Sequence, residues 1–342
     1  MAPPVASDAA AIAGERRVSA DSGALLVDAA EAVNGEGPQW DEQRKRLYWV
    51  DMRAPSLRAF EPSSGQALSW EMPSWIGCFA LLPDGRLVVA LRTGLALFDP
   101  HDGSLRSLAG APYDQRRFCF NDGGCDRSGH FIVGPMYHPL APGDGAGDAP
   151  QAAPLWRVRD CADAGGGAAL ALAPLALPPA RLSNGLAFSP DGRTLYHADT
   201  PRKTIWACDY DAVDGAVERH RVFAHVDEGG DSGGPDGAAV DRDGFYVCAV
   251  FGAGCLLRFD PDGKLERRLE VPVRYPTMPA FGGDDLATLY VTSASFPHRT
   301  GKIDRNPAAG GLFALPAPVP GLGTSYMNLN LHKEASHGAD GR

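Results

Sequence analysis

The feature that most constrains this chain is a motif that returns six times. Each copy is an apolar segment, a turn built on Asp with Gly or Ser, and a short strand of β-branched and aromatic residues. The copies fall at 39–51, 82–90, 125–134, 188–199, 240–248 and 281–292. Asp-Gly between apolar runs is a strong hairpin signal. Several copies continue into a second strand ending in another turn, as at 94–100, 204–209 and 255–263. A period of about 40 to 50 residues is the length a four-stranded blade needs, so the repeat predicts an all-β, six-bladed β-propeller.

The rest of the chain fits that frame. Gly 41 and Pro 29 point to many tight turns. One longer gap separates the third and fourth copies. Its first part, 139–154, has no apolar periodicity and reads as an exposed insertion, while Pro174 interrupts the Ala/Leu run 168–177 and makes it a strand rather than a helix. Leu25, Leu26 and Val27 are placed to supply the strand that closes the ring with the last blade. The expected organisation is a disordered lead-in at 1–21, not a signal peptide; a single propeller domain at 22–320; and a C-terminal tail at 321–342.

Several partner classes are disfavoured. A net charge of −10 with no basic patch argues against nucleic acid. No stretch approaches the roughly 20 apolar residues of a membrane span. Seven cysteines, an odd number without a CxxC pair, fit free thiols in a reducing compartment, and the expectation is a cytoplasmic monomer or weak homo-oligomer.

Four polar, glycine-rich stretches precede blade turns at a similar phase: Asn34-Gly35-Glu36-Gly37, Asn121-Asp122-Gly123, Ser183-Asn184-Gly185 and Pro235-Asp236-Gly237. One such stretch is turn chemistry; four in phase predict side chains converging on one end of the central channel. Their donors are all oxygen, which suits Ca²⁺, Mg²⁺ or Mn²⁺, and an open carboxylate site also holds Fe²⁺ or Zn²⁺.

The elements NGEGPQW (34–40), FNDGGCD (120–126), LSNGLAFSPDGRTLYHAD (182–199), GPDGAAVD (234–241) and FGGDDLATLYVTSA (281–294) resemble, in order, the gluconolactonase, senescence-marker (regucalcin-like) and luciferin-regenerating family, and bacterial sugar lactonases most of all. The resemblance runs over roughly 24–317. It implies one divalent metal, calcium first among the candidates, held by Glu36, Asn184 and Asp236, with Asn121 and the adjacent Asp122 on the substrate side. It further implies hydrolysis of an aldonolactone to the hydroxy acid, with Asp236 as metal ligand and general base, ionised because it is held against a cation.

Two departures bear on substrate. The family carries an arginine two residues before the Asn of its Asn-Asp-Gly element, and this chain has Cys119 there. Gly-Thr-Met followed by acidic residues is replaced by Gly134-Pro135-Met136-Tyr137-His138, so that Tyr137, His138 and Trp75 are expected to line a less polar pocket. The alternative functions are a propeller hydrolase of non-sugar lactones, esters or organophosphates, and a non-enzymatic calcium-binding regulatory protein. Of the remaining candidates, His197 is expected to be packed within its strand. Asp199 is expected to support the site or cap its strand, and His298 and Arg299 lie in a loop after the sixth repeat.

Overall fold

The structure, a computed structural model, describes residues 5–6, 16–17, 23–140, 150–162, 168–230, 233–295 and 306–329. His298 and Arg299, and most of the expected insertion, lie outside the described residues. Six antiparallel sheets form the six blades. Their innermost strands are Gly35–Asp41, Ile76–Leu81, Phe118–Cys125, Ser183–Phe188, Gly234–Val240 and Pro276–Gly282 for blades one to six. The Ala/Leu run is the strand Ala168–Pro174 at the edge of blade three.

Closure follows the sequence reading. Leu25–Asp28 is the fourth strand of blade six, antiparallel to Leu312–Pro316. Short strands from the lead-in extend two blades further: Val5–Ala6 pairs with Gln66–Glu71 and Arg16–Arg17 with Leu25–Asp28. Pairing across the ring removes the exposed sheet edges that an open array would leave.

The repeat turn has a local cause. The side chain of Asp126 accepts from the backbone N–H of Ser128 and His130, and Asp241 from those of Asp243 and Phe245, at 2.8–3.0 Å. An aspartate that caps its own turn fixes the reversal into the second strand. These turns gather at one end of the propeller, and the described part of the C-terminal segment runs beneath them. Arg242 N–H donates to Pro320, Arg127 to the Gly323 carbonyl, Tyr326 Oη to Asp41, and Met327 N–H to Leu81. The core lies between blades, where buried Tyr48, Phe79, Phe98, Phe131, Tyr246 and Phe313 fill the wedges.

Candidate active site

Every inner strand that carries a candidate ligand breaks its ladder at the same place. The register with the second strand shifts between Glu36 and Gln39, Phe120 and Gly123, Asn184 and Ala187, and Pro235 and Ala238. Each is a bulge of one extra residue, the device that turns a side chain out of strict alternation. Gly37 and Gly185, at φ of +57° and +61°, occupy the left-handed region the first and third bulges require. Gly237 serves a different need: a Cβ there would lie 2.4 Å from Met278 Cβ of blade six.

The bulges bring Glu36, Asn121, Asn184 and Asp236 to the wall of one cavity of about 370 Å³ at the mouth of the channel, opposite the C-terminal segment. Asn34, Met136, Tyr137, Thr200, Arg181, Lys203 and Arg274 share the lining. All four inner-strand side chains are at least nine-tenths buried. A chain of hydrogen bonds crosses blades three, four and five. Asn121 Nδ2 donates to Asn184 Oδ1 at 2.8 Å and to the Ser183 carbonyl at 2.9 Å; Asn184 Nδ2 donates to Thr200 Oγ1 at 2.7 Å; and Thr200 Oγ1 donates to the Pro235 carbonyl at 2.8 Å. With both amide hydrogens of Asn121 engaged, its Oδ1 is the group left to accept from a ligand hydroxyl.

Aspartates at the ends of second strands hold the chain entering the site. Asp51 accepts from the N–H of Val33 and Asn34, and Asp199 from those of Arg181 and Leu182. Asp199 thus joins the two roles expected of it: it closes its strand and anchors the segment that presents Asn184.

The charge balance of the cavity floor is unusual. Burial, then repulsion from Asp236 and Asp122, pushes the Glu36 carboxyl well above its ordinary range. Burial, then Asp122, does the same to Asp236. Asp122, whose carboxylate accepts from Leu186 N–H at 2.8 Å, is raised by burial to about 6. The sequence-derived expectation of an ionised Asp236 therefore requires a cation that the side chains do not supply: among the described residues no Lys or Arg forms an ion pair with any of the three carboxylates. Buried carboxylates without a counter-charge, with amide oxygens beside them, fit a hard divalent ion.

The other expected substrate residues divide. Tyr137 lines the cavity. Asp122 lies on the same inner strand as Asn121 but is not among the lining residues. Cys119 is fully buried, packed between blades two and three with its Sγ towards the Met136 carbonyl, and burial pushes its thiol up to about 12. Trp75 is also absent from the lining. Its ring rests on His138, with centroids 4.6 Å apart, and the Arg53 guanidinium lies over the same ring, 5.7 Å from its centroid. Buried Arg92 donates to the His138 carbonyl and meets its Nδ1. Arg181, Lys203, Arg274 and Thr200 escaped the sequence reading. Their signal was position: Arg181 and Arg274 precede inner strands, and Thr200 and Lys203 lie in the turn between the second and third strands of blade four.

The architecture is that of a six-bladed β-propeller with a polar cavity at one mouth of its channel. A profile of the SMP-30/Gluconolactonase/LRE-like region matches residues 34–295, and the chain belongs to that family. It is 36% identical over 292 residues to 6-deoxy-6-sulfogluconolactonase of Pseudomonas putida, covering 85% of this chain and 93% of that one. It is 35% identical over 303 residues to L-arabinolactonase of Azospirillum brasilense, with 88% and 94% covered. Among solved structures, the calcium-binding protein regucalcin of Agrobacterium tumefaciens superposes with a TM-score of 0.74 at 28% identity, over 89% of this chain and 97% of that one.

Proposed function

We propose that this chain hydrolyses a sugar lactone to its hydroxy acid with the help of one divalent cation held by Glu36, Asn184 and Asp236. The observation that carries the reading is the set of buried carboxylates at the channel mouth, none of which forms an ion pair with a Lys or Arg among the described residues. Relatives named as lactonases supply the reaction class.

A divalent ion in such a site polarises a carbonyl and makes a nearby water more acidic. The protein's own groups do the rest. Asp236 accepts a proton from the attacking water through its carboxylate, Asn121 Oδ1 accepts from a substrate hydroxyl, and Thr200 holds the Asn184 amide in its orientation. The water oxygen bonds to the acyl carbon, the acyl–oxygen bond of the ring breaks, and the proton count closes with one proton on the former ring oxygen.

Arg181, Lys203 and Arg274 set the substrate type. Three cations around one opening, on a chain of net charge −10, suit a lactone bearing an acidic substituent as well as the carboxylate product. The name of the sulfogluconolactonase relative accords with this. Replacement of the family's arginine by buried Cys119 favours, as a second reading, a lactone that makes fewer contacts through its ring hydroxyls. A panel of neutral sugar lactones, acidic sugar lactones and non-sugar lactones, followed by acid release with and without chelator, separates the two. Acidic sugar lactones should turn over fastest; acid release from non-sugar lactones alone would favour the second reading, and none from any lactone would end the enzymatic reading.

A further inference from the structure

Blade four carries a second group of metal-ligating side chains, away from the channel. Ligand atoms of His197, Cys208 and His220 all lie within 4.8 Å of one another, and among the described residues this is the one group of three His, Cys, Asp or Glu side chains so arranged. The three residues come from the second, third and fourth strands of the blade, Thr194–Asp199, Thr204–Tyr210 and Val217–His225, none of which is the inner strand.

The backbone explains how they meet. His197 pairs directly with Trp206, so Cys208, two residues on, shares its face. In the outer pair the register shifts by one residue between Ala207 and Asp209, which leaves Arg219 as the extra residue, at φ +45°. That bulge keeps His220 across from Cys208 on the same face, at a non-glycine position in a sparsely populated region of backbone space. The rings of His197, Trp206 and His220 stack, with centroids 5.2–5.6 Å apart.

Stacking accounts for the ring planes, and in the absence of an ion the Nε2 atoms of the two histidines stand at hydrogen-bond distance, 3.1 Å, one donating to the other. The Nδ1 atom of His197, a residue only 2% exposed, has no hydrogen-bond partner. Cys208 is fully buried beside them. Two imidazoles sharing one tetrahedral ion at 2.0–2.1 Å stand about 3.3 Å apart, close to the separation seen. The structure assigns His197, Cys208 and His220 to a binding site for a borderline-soft transition ion of the Zn²⁺ type. Two nitrogens and one sulfur select such an ion against Ca²⁺ and Mg²⁺, whereas the channel site offers only oxygen. On binding, the thiol proton passes to solvent as the sulfur–metal bond forms. Exposed His220 leaves the fourth position open to water, and the ion ties three strands of one blade together.

Cobalt(II) reports on this site independently of lactone hydrolysis, because only thiolate ligation gives a near-ultraviolet sulfur-to-cobalt charge-transfer band. The full-length chain, stripped with chelator and titrated with CoCl₂, should develop that band to one equivalent. Asp236→Asn should retain it, Cys208→Ser should lose it, and His220→Ala, a change at an exposed residue, should weaken binding at least tenfold. Zn²⁺ should raise the Tm of Asp236→Asn but not of the double variant Asp236→Asn/His220→Ala, in which the channel site is disabled as well. Absence of a thiolate band in the wild type, or a band undiminished in Cys208→Ser, overturns the assignment, as does Zn²⁺ stabilisation of the double variant equal to that of Asp236→Asn.

Discussion

Asn121 of blade three donates to Asn184 of blade four across 2.8 Å, so the amide of a candidate metal ligand is oriented by its neighbour in the next blade. The orientation is completed by Thr200, which accepts from the other end of the same amide and passes the restraint to the blade-five carbonyl preceding Asp236. The three-blade chain makes the site a property of the ring, since no single blade holds more than one of its candidate metal ligands.

Thr200→Val should therefore damage the site without touching substrate. The loss of one hydroxyl that both donates and accepts within the buried chain is expected to weaken metal affinity about 10- to 100-fold. Stability should fall by about 1–3 kcal/mol. Calorimetric metal titration and urea unfolding measure the two effects. Unchanged affinity would mean that Asn184 needs no such support.

Metal affinity should also depend on pH, and the sign is set by the raised carboxyls. Below about 6 Asp122 carries a proton, and Glu36 and Asp236 are likewise held towards the neutral form, so an incoming cation must displace protons. Apparent affinity should rise with pH from 5 to 7. A titration that gives one constant across that range contradicts the charge assignment.

The same carboxyls govern the stability of chelated protein. Asp122 has a folded pKa of about 6 against an ordinary value of 3.8, so the unfolded chain ionises first and stability is lost as pH rises through that window. The shift corresponds to about 3 kcal/mol at most. Asp122→Asn, which can still accept from Leu186 N–H, should stabilise the chelated protein at pH 8 and have no such effect below pH 4. Urea unfolding at the two values checks this, and equal changes at both would contradict it.

At the rim, Lys203→Ala and Arg274→Ala should raise KM for acidic lactones at least tenfold more than for neutral ones, with kcat little changed. Initial-rate kinetics on a matched acidic and neutral pair test it. Equal effects on the two substrates would remove the rim from substrate selection.

The far end of the propeller makes a separate prediction. Tyr326 Oη donates to buried Asp41 at 2.8 Å, fastening the C-terminal segment under blade one. Tyr326→Phe should cost about 1–2 kcal/mol in urea unfolding and leave kcat unchanged.

The ring was legible in the sequence because its information is local and repeated. Asp126 and Asp241 announce their turns by capping backbone within four residues, and Leu25–Asp28 announces its strand by composition. Glu36, Asn121, Asn184 and Asp236 were legible as a set because the blades place equal phases at equal heights on the channel. The bulges that aim them were half-visible, as the glycine that follows Glu36, Asn184 and Asp236 directly and Asn121 one residue later. Trp75 and Cys119 were not legible, because which face a side chain takes just before a bulge depends on the next blade: Trp75 turns to His138 and Cys119 into the blade-two wedge. Lys203 and Arg274 belong to loops whose reach over the mouth exists only once the ring has closed.

The most direct test of the central claim is acid release from a sugar lactone by the chelator-treated full-length chain as a divalent cation is returned. Activity should be nearly absent at first and rise to saturation at one equivalent bound, while Asp236→Asn stays at least about 100-fold below the wild type at every concentration despite a native circular dichroism spectrum. Undiminished hydrolysis by the ion-free protein, or full activity in Asp236→Asn, would contradict the account.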